Sequence, residues 1–333
     1  FGYFNSKSDA DAFEEDLTFL LVNQFAAFNS PVWFNVGLNE VYGIQGKIDN
    51  YHFFSDKQKV ERVDTYEFPQ CSACFIQSLN DDLDSIFELI KNESRLFKYG
   101  SGTGGNSSGL ISFLEVLDRG AGATKSGGIT RRAAKMVMLD MDHPDIEEFI
   151  TWKTREEDKA LALIRAGYSS DFNGEAYKTV SGQNSNNSVR IPHKFMEAYL
   201  NNAKWQTYYR TNNQLAKEFD AKYLMDQIAH SAWRCADPGV QFDDTMNEWH
   251  TVPNNDKIRA TNPCSEFVFL DDTSCNLASL NLMKFLKEDG IFDVEQFRNA
   301  IKIIFTAQEI AVEMSSYPTE SIAKNSHDLR PLG

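Results

Sequence analysis

The stretch KMVMLDMDHPDIEEFITWK, residues 135–153, joins a short apolar run to a helix-like pattern. The run KMVMLDM predicts a buried strand, because it is short and almost continuously apolar. The segment that follows predicts a helix with Pro144 in its first turn, where a missing N–H costs no hydrogen bond. A strand followed directly by a helix is the repeating unit of an α/β fold.

The rest of the chain continues this mixed pattern. EFVFL, residues 266–270, predicts another buried strand. Apolar residues spaced three or four apart predict helices in four more places: after a Ser8 cap, after Asp84, from Tyr223 to Trp233, and from Phe297 to Met314. The alternation of strands and helices favours a largely parallel sheet or barrel, with active groups at the strand ends.

Composition and charge limit the class of protein. The 333 residues are 42% hydrophobic and 13% aromatic, which is enough for one large core or two smaller ones. The formal net charge of −15 argues against binding a nucleic-acid polymer, whose phosphates need a broad basic face. No stretch reaches the roughly 18 apolar residues of a membrane span, and the first residues do not resemble a secretory signal. We therefore expect a cytoplasmic protein without membrane contact.

Three polar segments do not fit a plain scaffold. YGSGTGGNSSG, residues 99–109, is a glycine-rich run that either approaches a ligand phosphate closely or forms an ordinary surface loop. TKSGGITRRAAKM carries Lys125, Arg131 and Arg132, which form either an anion site or a solvated charge cluster. Residues 166–192 are rich in Asn, Ser and Gly and either frame a site or connect two elements.

The five cysteines are an odd set scattered along the chain, so we expect thiols in a reducing compartment and no secreted disulfide framework. Cys71 and Cys74 form a Cys-x-x-Cys pair in CSAC. Three interpretations of this pair stay open: half of a zinc site, a thioredoxin-like redox pair, or two core thiols. A zinc site needs two more ligands. A thioredoxin-like pair needs to lie at a helix start, whereas CFIQS continues as a strand.

NPCSE, residues 262–266, brings an amide, a thiol and a carboxylate together, and Cys275 follows eleven residues after its cysteine. If the segment is extended, Asn262, Cys264 and Glu266 point to the same side, because side chains alternate along a strand. Three such groups can hold a polyhydroxyl substrate, take a hydrogen atom from it and accept a proton. The alternative is a buried structural thiol beside a surface charge.

Eight motifs extend over most of the chain in the order found in one enzyme family. They are CSACFIQS, YGSGTG, KSGGITRRAAKM, DHPDIEEFI, AGYSSDFNGEAY, SGQNSNNSVR, NPCSE and DDTSCNLASLN. Together they resemble the catalytic chain of ribonucleotide reductase, and specifically its class II branch, which depends on adenosylcobalamin. The resemblance implies a ten-stranded α/β barrel of which only about the first half is present. It also implies that residues 1–333 form a single catalytic barrel domain, truncated at both ends, and that this fragment is inactive alone.

The resemblance implies a role for each matching residue of the reaction centre. Cys264 would become a thiyl radical when a deoxyadenosyl radical from the cofactor removes its hydrogen, and would then abstract the 3′ hydrogen of the ribose. Glu266 would accept the proton of the 3′-hydroxyl group, and Asn262 would help to hold the ribose. Cys74 would protonate the departing 2′-hydroxyl group. Cys74 and Cys275 would then supply two electrons by closing into a disulfide.

The same resemblance places further residues around the substrate and the regulatory site. Asp81 matches a position of the allosteric site for ATP or a deoxyribonucleoside triphosphate. Lys125, Arg131 and Arg132 lie in the loop that relays effector identity. Cys71 and Cys235 match no functional position, so we expect both to be structural. Substrate contacts are implied for Ser30, Ala73, Cys74, Gly100, Asn262, Pro263, Cys264, Ser265 and Glu266.

The expected activity is reduction of ribonucleoside diphosphates to 2′-deoxyribonucleoside diphosphates, with no metal ion held by the protein's own side chains. The expected partners are a thioredoxin- or glutaredoxin-type reductant and a second copy of the chain in a homodimer. Two alternatives remain. One is a class I-type large chain, which receives its radical from a separate subunit, and a requirement for adenosylcobalamin distinguishes it. The other is a nucleotide-binding remnant without catalysis, which would yield no deoxyribonucleotide.

Overall fold

The computed structural model describes residues 2–78, 83–98, 102–106, 110–123 and 135–333. Their contacts divide into two compact units. Of the described residues, the first unit contains 2–75 and 272–333, and the second contains the others. No helix in these ranges is long and apolar enough to cross a membrane.

Helices and strands are interspersed along the described ranges. The helices are α1 (Lys7–Val22), α2 (Ser30–Asn35), α3 (Leu38–Tyr42), α4 (Leu83–Lys98), α5 (Leu110–Ala123), α6 (Ile146–Arg165), α7 (Glu175–Thr179), α8 (His193–Leu200), α9 (Ala221–Cys235), α10 (Asp243–Glu248), α11 (Val294–Met314) and α12 (Glu320–Leu329). The strands are β1 (Ala26–Phe28), β2 (Ile48–Phe54), β3 (Lys59–Asp64), β4 (Cys74–Ile76), β5 (Gly102–Asn106), β6 (Lys135–Asp140), β7 (Ser185–Ile191), β8 (Lys204–Tyr208), β9 (Leu215–Asp220), β10 (Gly239–Phe242), β11 (Ala260–Thr261), β12 (Val268–Phe269), β13 (Thr273–Cys275) and β14 (Ala278–Leu280).

The predicted helices and the buried strand predicted at KMVMLDM are confirmed, although some ends differ. The buried strand predicted at EFVFL is only partly present, because β12 contains two residues and both are half-buried. Ser6, not Ser8, caps α1, because the Ser6 hydroxyl accepts the N–H of Asp9 at 3.1 Å. Pro144 precedes α6 by two residues and lies in a separate turn, where the Asp145 N–H donates to the ring Nδ1 of His143 at 3.0 Å. Local hydrogen bonds of this kind decide where a helix begins, and apolar spacing does not reveal them.

The first unit combines antiparallel strand pairs with helices. β2 pairs with β3 and β1 pairs with β14. Phe285 is central to the core, being 1% exposed with its ring edge-on to the rings of Phe25 and Phe297. The α1 helix lies against α11 around this ring. The buried members of this core are Leu20, Ala26, Phe285, Ala300 and Ile304.

The sheet of the second unit contains four described strands in the order β10-β7-β6-β5, all parallel. The prediction of a largely parallel sheet is therefore confirmed for this unit. One face of the sheet packs on helices: Val137, Leu139, Val189 and Ile191 share a core with residues of α5, α6, α8 and α9. Alternation along the strands sends Met136, Met138, Asn186, Ser188 and Arg190 to the opposite face. Parallel strands covered on both faces read as continuous apolar runs, which is why KMVMLD is recognisable in the sequence.

An ion pair is buried where α4 lies near β6. The Glu93 carboxylate and the Lys135 ammonium group are 3.4 Å apart, and their side chains are 4% and 3% exposed. Burial raises the pKa of Glu93 and lowers the pKa of Lys135, and the attraction between the two groups opposes both shifts. Each charge therefore depends on the other for its stability in this dry environment.

We predict that Lys135→Met lowers the free energy of unfolding by about 3 to 5 kcal/mol, because it leaves a buried carboxylate without its cation. The loss of free energy of unfolding should grow as pH rises. Burial raises the pKa of Glu93, so at low pH its side chain is protonated and needs no cation, whereas at higher pH it is a buried carboxylate without a partner. Urea denaturation between pH 5 and pH 8 measures both effects.

The matched control replaces both partners. Glu93→Leu combined with Lys135→Met removes both charges and keeps an apolar volume, so most of the lost stability should return. The free energy of unfolding of the double variant is compared with those of Glu93→Leu and Lys135→Met alone. If the loss in the double variant equalled the sum of the losses in the two single variants, the broken ion pair would not be the cause of the loss.

Candidate active site

Cys74 and Cys275 lie on neighbouring strands of the first unit. β4 begins at Cys74, β13 ends at Cys275, and the two strands are adjacent. The Ala73 N–H donates to the Cys275 carbonyl oxygen at 3.1 Å, and the Ser72 and Ser274 hydroxyl oxygens are 3.1 Å apart. The two cysteines are 6% and 3% exposed. The structure thus brings the predicted redox cysteines onto adjacent strands and shields them from water.

The side-chain amide of Asn29 fastens the segments that flank these cysteines. Its Nδ2 donates to the Cys71 carbonyl oxygen at 2.7 Å, and its Oδ1 accepts the Leu277 N–H at 3.2 Å. Ser30, the next residue, begins α2 and is half-buried. Sequence reasoning proposed Ser30 but missed Asn29. An Asn directly before Ser-Pro signals a helix cap, yet this side chain bonds to the two flanking segments and makes no cap bond.

Cys71 has a different environment from Cys74. It is 0% exposed, its sulfur donates to the Pro69 carbonyl oxygen at 3.5 Å, and burial raises the pKa of its thiol to about 11. A thioredoxin-like pair lies at a helix start, where the pKa of its attacking thiol is lowered, whereas Cys74 begins a strand. The structure therefore does not favour the thioredoxin-like interpretation. The described residues contain no group of three or more His, Cys, Asp or Glu side chains that could hold a metal ion.

Cys264 lies at the tip of a hairpin in the second unit. β11 and β12 pair antiparallel through Ala260↔Phe269 and Thr261↔Val268. Residues 262–265 form a tight turn, because the Ser265 N–H donates to the Asn262 carbonyl oxygen at 3.0 Å. Pro263 suits the second position of such a turn, where its fixed φ is required, and Ser265 closes the turn with a φ of 63°.

The condition under which Asn262, Cys264 and Glu266 would point to the same side is not met, because residues 262–265 form a turn. Asn262 is 1% exposed, and its Oδ1 accepts the Phe267 N–H at 2.9 Å, whereas Cys264 and Glu266 are exposed. A turn does not alternate its side chains, so Asn262 supports the hairpin from within while the thiol and the carboxylate remain accessible. The alternative of a buried structural Cys264 is wrong for the same reason. Pro263 is buried and Ser265 is half-buried.

Two residues hold the base of this hairpin, and sequence reasoning missed both. Arg190, on β7, donates to the Arg259 carbonyl oxygen at 2.9 Å and forms ion pairs with Asp243 and, at 3.5 Å, with Asp140. Asn247 exchanges two hydrogen bonds with the Ile258 backbone, at 3.2 and 2.9 Å. The available signal for Arg190 was a cation between Val189 and Ile191, two residues typical of a buried strand, because a buried cation needs partners.

Burial raises the pKa of Asp140, and the nearby Arg190 guanidinium opposes that shift. The ion pairs of Arg190 thus fix the ends of β6, β7 and β10 relative to the hairpin base.

The polar segment 166–192 is partly held by Asp118, whose buried carboxylate accepts the N–H groups of Gly182 at 2.9 Å and Asn184 at 2.7 Å.

The remaining predicted residues are placed as follows. Ala73 is half-buried beside Cys74. Cys235 is half-buried at the end of α9, with its sulfur 3.5 Å from the Thr154 hydroxyl oxygen. Asp81, Gly100, Lys125, Arg131 and Arg132 lie outside the described residues, so their predicted roles stay predictions.

Comparison with known proteins gives a consistent result. The vitamin B12-dependent ribonucleotide reductase of Rhodopirellula baltica is 51% identical over 351 aligned residues, which cover 100% of this chain and 34% of the relative. The Streptomyces coelicolor protein of the same name is 44% identical and covers 99% and 34%. The vitamin B12-dependent ribonucleoside-diphosphate reductase of Thermoplasma acidophilum is 30% identical and covers 79% and 34%.

The chain spans about a third of the length of these curated relatives. A family model described as the barrel domain of ribonucleotide reductase matches residues 72–333. This match contains the two strands that carry Cys74 and Cys275 and the hairpin that carries Cys264. Since it covers most of the sequence, the chain belongs to the ribonucleotide reductase family and carries part of its barrel domain.

Proposed function

We propose that this chain carries the radical cysteine and the reducing cysteine pair of an adenosylcobalamin-dependent ribonucleotide reductase. The observation that carries the proposal is the contrast between the thiols: Cys264 is exposed at a turn, whereas Cys74 and Cys275 are buried on adjacent strands. A thiol that exchanges a hydrogen atom with other molecules must be accessible. Two thiols that join into a disulfide must be neighbours.

The proposed reaction balances with these residues. Cys264, as a thiyl radical, abstracts the 3′ hydrogen of the ribose, and Glu266 accepts the proton of the 3′-hydroxyl group. The 2′-hydroxyl group takes a proton from Cys74 and leaves as water. Cys74 and Cys275 are oxidised to a disulfide and give two electrons to the substrate, and the hydrogen of the Cys275 thiol forms the new C–H bond at the 2′ carbon. Glu266 returns its proton to the 3′ oxygen, and Cys264 returns the hydrogen atom to the 3′ carbon. One ribonucleotide and two thiols become one deoxyribonucleotide, one disulfide and one water.

We propose adenosylcobalamin as the cofactor because of the names of the relatives and because the Cys264 sulfur is accessible. The relatives from Rhodopirellula baltica and Streptomyces coelicolor are named as vitamin B12-dependent. Adenosylcobalamin, when bound, supplies the radical that removes the hydrogen atom from Cys264. The exposed hairpin tip fits this requirement, because neither β11 nor β12 encloses the thiol.

Nucleoside diphosphates are the proposed substrates, because the relatives from Thermoplasma acidophilum and Mycobacterium tuberculosis are named ribonucleoside-diphosphate reductases. We also propose that the four parallel strands of the second unit are part of a ten-stranded barrel formed by one catalytic domain. A thioredoxin- or glutaredoxin-type reductant would reopen the disulfide. Regulation by ATP or a deoxyribonucleoside triphosphate and assembly as a homodimer complete the proposal.

Deoxyribonucleotide formation tests the proposed function in a protein extended to the length of its relatives. We expect product from ribonucleoside diphosphates only when adenosylcobalamin and a dithiol are both present. Product without cobalamin, in the presence of a separate radical subunit, would favour a class I-type chain. Nucleotide binding without any product would favour a non-catalytic remnant.

Cys264→Ser is expected to reduce turnover below detection in the same extended protein. A serine O–H bond is too strong to exchange its hydrogen atom with the same radicals, while the exposed position tolerates the substitution without loss of the fold. Cys235→Ser is the matched control, because Cys235 is a thiol with no proposed role, and it should keep parental turnover. Turnover that survives in Cys264→Ser would remove Cys264 from the reaction.

A single turnover without external reductant is expected to produce one disulfide, between Cys74 and Cys275. Peptide mapping by mass spectrometry identifies the pair. Cys71→Ala should leave this disulfide and the turnover unchanged, because Cys71 is a neutral core thiol. Detection of a Cys71–Cys74 disulfide in its place would show that the Cys-x-x-Cys pair is the reductant.

A further inference from the structure

The hairpin that carries Cys264 has little structure of its own. Only two residue pairs join β11 to β12. Isolated two-stranded hairpins are marginally stable in water even when longer. In the turn, Asn262 accepts the N–H groups of Ser265 and Phe267 and donates its own N–H to the Phe267 carbonyl oxygen at 3.3 Å. The Thr261 hydroxyl group contacts the Asn262 carbonyl oxygen at 3.1 Å and the Ser265 hydroxyl oxygen at 3.5 Å. Arg190 and Asn247 hold the base of the hairpin, at residues 258 and 259, but not its tip.

Two side-chain amides contact the tip from the sheet. Asn186 Nδ2 donates to the Pro263 carbonyl oxygen at 2.8 Å, and Gln241 Nε2 donates to the Ser265 hydroxyl oxygen at 3.0 Å. The two acceptors belong to the residues directly before and after Cys264. The two hydrogen bonds therefore flank the thiol on both sides along the chain.

The two amides have a common platform. Asn186 lies on β7 and Gln241 on β10, which are neighbouring parallel strands. Gln241 pairs in register with Arg190, which lies four residues after Asn186 on the same strand, so all three side chains lie on one face of the sheet. The opposite face is packed on helices through Val189 and Ile191. A sheet packed on helices thus presents two donors to the turn.

The two hydrogen bonds differ in one chemical respect. A backbone carbonyl oxygen such as that of Pro263 only accepts, so it needs a donor at position 186. The Ser265 hydroxyl group can accept or donate, so it can bond to a carboxylate at position 241 as well as to an amide. Substitution of each amide by the carboxylate of the same size should therefore break the first bond and keep the second.

We infer that Asn186 and Gln241 form a two-point clamp that fixes the tip of the β11–β12 hairpin and so positions Cys264. The catalytic consequence rests on the proposed function: hydrogen-atom transfer requires the sulfur and the ribose carbon in near contact, and a misplacement of about 1 Å costs on the order of a hundredfold in rate. Both amides act through the backbone or side chain of another residue, so they are positioning residues.

Hydrogen exchange of the peptide that spans residues 259–269 tests the clamp in the extended protein, independently of activity. Asn186→Asp and Gln241→Ala should each speed exchange of the tip amides about fivefold, as expected for loss of one hydrogen bond. Gln241→Glu should exchange at the parental rate. Gln206→Ala is the matched control, because this exposed amide bonds to Glu218 and makes no hydrogen bond to the hairpin.

The same variants separate positioning from folding when turnover is measured. Asn186→Asp and Gln241→Ala should lower kcat at least about tenfold and change KM less, while Gln241→Glu keeps most of kcat. Parental exchange rates in both Asn186→Asp and Gln241→Ala would overturn the clamp, and so would a Gln241→Glu variant that exchanges as fast as Gln241→Ala. Faster tip exchange in a protein that makes no deoxyribonucleotide would support the clamp and reject the proposed function.

Discussion

The parallel pairing of β7 with β6 on one side and β10 on the other is the constraint on which the second unit depends. Because side chains alternate along β7, Val189 and Ile191 enter the helix-packed core, while Asn186 and Arg190 lie on the other face. That second face holds the base and the tip of the hairpin. One strand thus connects the stability of the core to the position of the exposed thiol.

The cysteines illustrate how environment decides the chemistry of one residue type. Cys71 lies in a dry core, where burial disfavours the thiolate and raises the pKa, so its thiol is inert. Cys74 and Cys275 are nearly as well buried, but adjacent strands bring their backbones together through the bond between the Ala73 N–H and the Cys275 carbonyl oxygen. Cys264 is exposed because it occupies a turn that its neighbours close.

Much of the fold was predictable, because apolar spacing is a local property of the chain. α9 and α11 were located by it, and their ends extended only two or three residues beyond the predicted limits. The side chains of NPCSE do not share one side, because residues 262–265 form a turn and only an extended backbone alternates its side chains. Asn-Pro is a turn signal in its own right, since proline fixes φ for the second turn position. The Asn262-Pro263 dipeptide therefore predicts the turn that the structure shows.

Some residues of the candidate site were predicted from the sequence, and others became visible only in the structure. The sequence predicted roles for Cys264 and Glu266 because the two residues belong to one contiguous motif. It did not identify Asn29, Asn186 or Gln241, because no motif singles out these amides and their partners lie far away along the chain.

The sequence by itself determined the mixed α/β class and the family, and it supplied the thiols and the carboxylate on which the proposed function rests. Only the tertiary structure decided which thiols are buried, that residues 262–265 form a turn, and which amides hold that turn. The physical reason is distance along the chain. The bond from Asn186 to Pro263 joins residues 77 positions apart, and the bond from Leu277 to Asn29 joins residues 248 apart. Such contacts exist only after the strands have paired, so no local pattern encodes them.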